Sequence, residues 1–185
     1  MPVTMKFKIA HFGGKKGRNE IEFEKSCDSF NYNFMRYLAN SFANSALVNV
    51  IDTGNVSRAI SYAGICNILA PAGNTVYGIR VGTSGTAAAP GDYTLGGLIP
   101  TGIGDGLLAY GGVTVLAPEI EGNVIKMHLK RTFINGGTVA ITMRELDVVS
   151  STGGYNVQML RDAFADQVIP PMDGVSVDII IQVTV

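Results

Sequence analysis

Between Asn123 and Leu146 the chain alternates apolar and polar positions in two runs separated by a glycine pair. The first run, NVIKMHLKRTF, sets Ile125, Met127, Leu129 and Arg131 on one side against Lys126, His128, Lys130 and Thr132 on the other. That two-residue period is the signature of a strand with one buried face. The second run, TVAITMREL, puts Val139, Ile141 and Met143 on one face, and INGG lies between the two. An Asn-Gly pair tolerates the positive φ angles of a tight primed turn, so these signals together predict one long β-hairpin turning at Asn135-Gly136. An apolar hairpin face must be covered, which calls for a second sheet.

The same period recurs elsewhere. Met5 to Phe12 and Glu20 to Phe23 read as short strands flanking GGKKGR, and VYGIRVG from Val76 to Gly82 reads as another. In LLAYGGVTVLA a strand is interrupted at Gly111-Gly112, the mark of a bulge or bend. The end, VSVDIIIQVTV, alternates Val175, Val177, Ile179, Ile181, Val183 and Val185, which ties it into a sheet. The exception to the strand period is DSFNYNFMRYLANSFANSA, where Phe30, Phe34, Tyr37, Leu38 and Phe42 recur at helical spacing with Asp28 or Ser29 as the N-cap. Asn33, Asn40 and Asn44 weaken its intrinsic propensity, so packing through Phe34 and Leu38 is expected to hold it. Ser57 to Leu69 has no clean period, and Thr83 to Gly106 has the turn and small-residue chemistry of a long ordered loop.

These elements predict a mainly β chain: an antiparallel β-sandwich, jelly-roll-like, with one packed helix at about 28–44. No repeat, charge block or Pro/Ser-rich linker divides it, so residues 1–185 are expected to form a single domain. At 19.6 kDa folding removes roughly 70% of the unfolded surface, enough for a core without staples. A formal charge of −1 provides no field to draw in nucleic acid or an anionic membrane. Charged residues are 16% of the chain against roughly 25% in soluble domains. Two explanations fit: surface buried against other chains, or the ordinary economy of a β-sandwich. The N-terminus carries charges within its apolar stretch, unlike a secretory signal. Cys27 and Cys66 fit no zinc or redox spacing and are expected to be inert, buried thiols.

Candidate chemistry is sparse. Lys15, Lys16 and Arg18, set among glycines, suit an anion or an acidic patch on a neighbouring chain, but the hydroxyl residue and helix start of a phosphate loop are missing. Ser84 sits in a glycine turn without the spacing of a nucleophile elbow. Asp92, Asp105 and Asp173 lie in turn contexts without an alternating oxygen-ligand pattern, so no metal or cofactor is expected. Arg131, Arg144, Glu145, Arg161 and Asp162 suit an ion-pair set at a sheet. Thr83, Ser84, Asp92 and Tyr93 remain as a recognition surface on the long loop. No catalytic residues are expected.

Three segments, VYGIRVGTSGTAAAPGDYTLGGLI, LKRTFINGGTVAITMREL and MLRDAFADQVIPPMDGVSVDIIIQVTV, preceded by SFNYNFMRYL, resemble a family of small virion proteins of tailed bacteriophages. The chain departs from that pattern at INGG and RELDVVS. The resemblance implies a β-sandwich forming part of the particle, as capsid decoration, neck or tail component. It implies a non-enzymatic homo-oligomer contacting other virion proteins, made in the host bacterial cytoplasm, with no nucleic-acid or membrane partner expected. The alternative is a receptor- or glycan-binding module presenting the Thr83–Gly106 loops.

Overall fold

The computed structural model describes residues 3–13, 20–27, 31–43, 48–60, 66–152 and 154–184. The larger sheet contains β1 (Val3–Phe12), β2 (Glu20–Cys27), β9 (Val124–Ile134) and β12 (Gly174–Thr184), in the order β2-β1-β12-β9. The other edge of β9 is lined in succession by β8 (Glu119–Glu121), β7 (Thr114–Val115) and β6 (Ala109–Tyr110). The smaller sheet runs β11 (Tyr155–Ile169), β10 (Ile141–Thr152), β5 (Gly78–Gly82). A two-strand ribbon, β3 (Val50–Ile51) with β4 (Ser57–Arg58), lies apart. Every named strand pair is antiparallel.

The strand periods fix which residues meet. Met5, Phe7 and Ile9 of β1, Val175, Val177 and Ile179 of β12, and Leu129 and Phe133 of β9 face Ile79, Val81, Leu146, Val148, Leu160 and Ile169 of the smaller sheet in one buried cluster. Burying a side chain such as Phe7 contributes about 2 to 3 kcal/mol. The fold is therefore the expected antiparallel β-sandwich, with a single helix among the described residues, and β12, the most regular run in the sequence, is flanked by β1 and β9 from Gly174 to Val183.

The long hairpin is not formed. β9 and β10 belong to different sheets, and Asn135 to Ala140 carries the chain from one sheet to the other. Both arms do bury one apolar face, but each finds other partners: β9 pairs with β12, and β10 with β11 and β5. Neither Gly136 nor Gly137 has a positive φ. Asn135 is fully buried and works as a plug: its amide nitrogen donates to the carbonyls of Val139, Ile169 and Pro170, and its Oδ1 accepts from Gly137 N–H at 3.0 Å. Gly136 sits in a tight place, where a Cβ would lie 3.2 Å from the Ile103 carbonyl oxygen. Local signals identified a chain reversal but not which strands it joins.

The helix α1 (Tyr32–Ala43) lies against β11 and β3, outside the smaller sheet. Asp28, Ser29 and Phe30 fall outside the described residues, and the cap is Asn31, whose Oδ1 accepts from Phe34 N–H at 3.2 Å. Phe34 and Tyr37 are only half-buried, packed on Val50, Ile60, Val157 and Met159. The asparagines carry the docking instead. Asn33 Nδ2 donates to Ile51 O at 2.8 Å while its Oδ1 accepts from Ile51 N–H at 2.9 Å, and Asn40 bonds Val48 and Ile60 in the same manner. Residues that depress helix propensity thus serve as buried ladders to the neighbouring backbone. Cys66, expected as a buried thiol, is free and exposed.

Candidate functional site

The four loop residues singled out from sequence are brought together on the outer face of the smaller sheet. β5 ends at Gly82, and Thr83 N–H donates to Gly97 O at 2.8 Å, closing residues 83–97 into a loop folded back on β10 and β11. Its interior is organised by the Glu145 carboxylate, which is buried. Oε1 accepts from Ser84 N–H at 3.2 Å and Gly97 N–H at 2.7 Å, and Oε2 from Gly96 N–H at 3.1 Å. A Cβ on Gly82 would stand 2.4 Å from Glu145 Oε1, so only glycine leaves room for the carboxylate to reach the loop amides.

Arg161 extends this arrangement to the surface. Its Nε donates to Glu145 Oε2 at 2.9 Å, Nη1 to Asp92 Oδ2 at 2.7 Å, and Nη2 to Thr86 O at 2.9 Å. Burial opposes the guanidinium charge, but the bonds to Asp92 and Glu145 and their attraction outweigh it and hold its pKa above the ordinary value. Asp92 in turn accepts from Ala89 N–H at 2.8 Å, the turn role expected for it. Beside this chain Arg80 grips Asp147 through two bonds of 2.9 and 2.5 Å, and Gln158 Nε2 adds a third at 2.7 Å. Asn31 Nδ2 reaches both Gln158 O and Asp92 O, joining the start of α1 to the loop.

Two shallow clefts flank the ridge at Asp92. One, about 240 Å³, is lined by Ser84, Thr86, Asp92, Tyr93, Leu95 and Arg161. The other, about 200 Å³, lies between Tyr32 and Arg36 on one side and Pro90, Gly91 and Asp92 on the other. A wider groove of about 540 Å³ runs between Phe23 and Phe164 at the β2 and β11 edges. Ser84 Oγ engages Thr86, donating to its Oγ1 at 3.1 Å and accepting from its N–H at 3.3 Å, and no base is bonded to it. His128 belongs to the larger sheet, where it contacts Asp178 and Glu119. Among the described residues no three His, Cys, Asp or Glu side chains are grouped to hold a metal ion, and no described helix is long and apolar enough to cross a membrane.

Lys15, Lys16 and Arg18 lie outside the described residues. The ion-pair set read from sequence splits in the structure. Arg161 with Glu145 is formed, whereas Arg144 turns to Asp166, Asp162 pairs with Lys25, and Arg131 meets no carboxylate at all. Sequence reading missed Arg36 and Tyr32, whose helical spacing of four was the available signal. Comparison with family models, with curated proteins and with solved structures gives no match.

Proposed function

We propose that this protein is a non-enzymatic structural component of a bacteriophage particle, assembling in multiple copies with other virion proteins at the capsid, neck or tail. The observation that carries the reading is an apolar end of the sandwich, built from rigid glycine-rich connections. Ile103 and Met172 are each about three-quarters exposed there, beside Ile134 and Val139, which are also exposed. The patch is braced from below. Ile103 lies against Gly136, Met172 N–H donates to Asn135 O at 2.8 Å, and Asp105 Oδ1 accepts from Thr138 N–H at 2.6 Å. Met172 also holds a φ of 62°, a left-handed conformation unusual for its type. No lysine or arginine occurs in 98–117, 134–142 or 166–173. Exposed apolar surface held in a fixed shape suits protein–protein contact. The phage-like segments in the sequence supply the particle as its context.

The test is proteomics of purified particles, in which the protein is expected as a multi-copy component. Met172→Ser with Ile103→Ser is expected to leave the fold unchanged and to reduce incorporation. Absence from purified particles, despite expression during infection, overturns the assignment. A second reading, a receptor- or glycan-binding module, draws support from the clefts on either side of Asp92. Specific retention on a glycan array, lost with Tyr93→Ala, would favour it.

A further inference from the structure

Arg36 stands apart from the other described arginines. Arg58 bonds Asp52, Arg80 bonds Asp147, Arg144 bonds Asp166, Arg161 bonds Glu145 and Asp92, and Arg131 bonds backbone carbonyls. The guanidinium of Arg36 instead lies 4.2 Å over the Tyr32 ring and is bonded to no oxygen of the described residues. Stacking of this kind fixes the guanidinium plane and leaves its N–H edge as an open fork, the geometry that takes a carboxylate through two parallel bonds. Both residues line the 200 Å³ cleft, whose far wall is Ile51, Pro90 and Gly91.

We propose that this cleft is a carboxylate-binding subsite, with Arg36 as the anion ligand and Tyr32 as its positioning platform, and that its ligand is an acidic side chain presented by an extended polypeptide. Two other polar side chains of the lining, Asn33 and Asp92, already have partners. Both ends of the Asn33 amide are bonded to Ile51. Asp92, the one acid in the wall, holds its Oδ2 against Arg161 and Ala89 N–H, while its carbonyl accepts from Asn31. A lining with one uncommitted cation beside Ile51, Pro90 and the Tyr32 ring matches a single carboxylate on a short apolar stem. A sugar acid would bring a ring of hydroxyls to a surface with few partners left for them, and burying unpaired hydroxyls is costly. The subsite stands on local geometry alone. Only the identity of the neighbour carrying the carboxylate rests on the virion reading.

The experiment is an NMR titration of the whole protein, following arginine Nε–Hε signals and the backbone amide of Gly91 in the cleft wall, with N-acetylglutamate α-amide as probe and its glutamine counterpart as control. Expected is a saturable movement of the Arg36 signal with the glutamate probe only, with the Arg144 signal fixed by its Asp166 partner. Arg36→Gln is expected to abolish the saturable movement of the Gly91 amide without altering the melting temperature. Arg36→Lys, which keeps the charge and loses the fork, is expected to bind about five- to tenfold more weakly. Tyr32→Ala is expected to weaken binding while the charge remains. No saturable movement, an equal response to the glutamine probe, or an unchanged response in Arg36→Gln overturns the subsite. Saturation at lower concentration by glucuronate or inorganic phosphate overturns the polypeptide carboxylate and makes a sugar acid or a phosphate the ligand. None of these outcomes depends on whether the protein is found in particles, so the two proposals fail separately.

Discussion

Two buried arginines, one between the sheets and one outside the smaller sheet, are held in opposite ways. Arg131, projecting from β9 into the sandwich, has only backbone carbonyls for partners: those of Gly111, Ile79, Pro71 and Asn74, at 2.7 to 3.2 Å. The Tyr110 ring lies 4.8 Å away. Burial pushes its pKa down to about 10, which still leaves it charged at neutral pH. Arg161 is buried just as thoroughly but lies between two carboxylates, and its pKa is raised. The carbonyl-held charge joins separate stretches of chain at one point and has no route to the surface, so it acts as a staple. The carboxylate-held charge belongs to a chain of groups that ends at solvent-facing Asp92. Internal charge in this protein joins chain segments on one side of the smaller sheet and holds a surface loop in shape on the other.

The sharpest way to break this contrast is Arg131→Met. An apolar side chain removes the charge and takes a donor from the buried Ile79 carbonyl and the half-buried Gly111 and Asn74 carbonyls, each worth about 1 to 3 kcal/mol, whereas Pro71 O keeps the Asn74 N–H, so a loss of about 3 kcal/mol or more is expected. Urea denaturation measures it. A loss below about 1 kcal/mol would mean that the carbonyls find water or other donors, and the staple reading would fail. Glu145→Gln is the corresponding change outside the sheet and is expected to cost about 3 kcal/mol, because Arg161 keeps a buried charge with only Asp92 to balance it. It should also act locally. Hydrogen exchange at the Ser84, Gly96 and Gly97 amides, all bonded to Glu145, is expected to accelerate well before exchange in β12. Uniform acceleration would show that the loop is not a separate unit.

A smaller effect separates polar from apolar docking in the same outer layer. Asn33→Ala leaves the backbone N–H and C=O of Ile51 unpaired and is expected to cost about 2 kcal/mol. Phe34→Ala, at a half-buried site, is expected to fall below the roughly 3 to 5 kcal/mol of a fully buried phenylalanine. Thermal melts of the two variants compare them directly. If Asn33→Ala is harmless and Phe34→Ala severe, the helix is docked by its aromatic stripe after all.

That reversal marks where the sequence stopped being legible. Periodicity identified the strands and their inward faces, because a side chain's face follows from its position in the strand: Leu129, Phe133, Val175, Val177 and Ile179 are all buried as the alternation requires. Pairing did not follow, because INGG is compatible with a hairpin and with a crossing between sheets, and the choice depends on strands as distant as β12. The Thr83–Tyr93 loop was readable as a surface, since glycine, proline and aspartate mark turns locally. Glu145, which holds it in shape, stands 48 residues beyond Gly97 and is conspicuous only as an acid in a strand that turns out to be covered. Long-range polar satisfaction leaves no periodic trace, which is why Asn33, Asn40 and Asn135 were read as weak points or turn formers.

The smallest expected effect completes the comparison at its exposed limit. Arg144 and Asp166 form the same two-bonded pair seen inside, at 2.7 and 2.9 Å, but on the surface. Solvent and salt screen such pairs, so Arg144→Ala is expected to lower the melting temperature only slightly at neutral pH. The pair is nonetheless visible in acid. The hydrogen bond from Arg144 holds the Asp166 carboxyl below its ordinary value, assisted by the attraction between the two charges, although desolvation works against them. A carboxylate depressed in the folded state contributes stability that is fully present above its unfolded pKa, about 4, and is lost as pH falls through the folded value. Carboxyl-detected NMR titration is therefore expected to show Asp166 protonating at higher pH in Arg144→Ala than in the unmodified protein. An unchanged titration would mean that the exposed pair is not populated in solution. A clear drop in neutral-pH stability would remove the distinction between surface and interior charge on which the comparison of Arg131 with Arg161 depends.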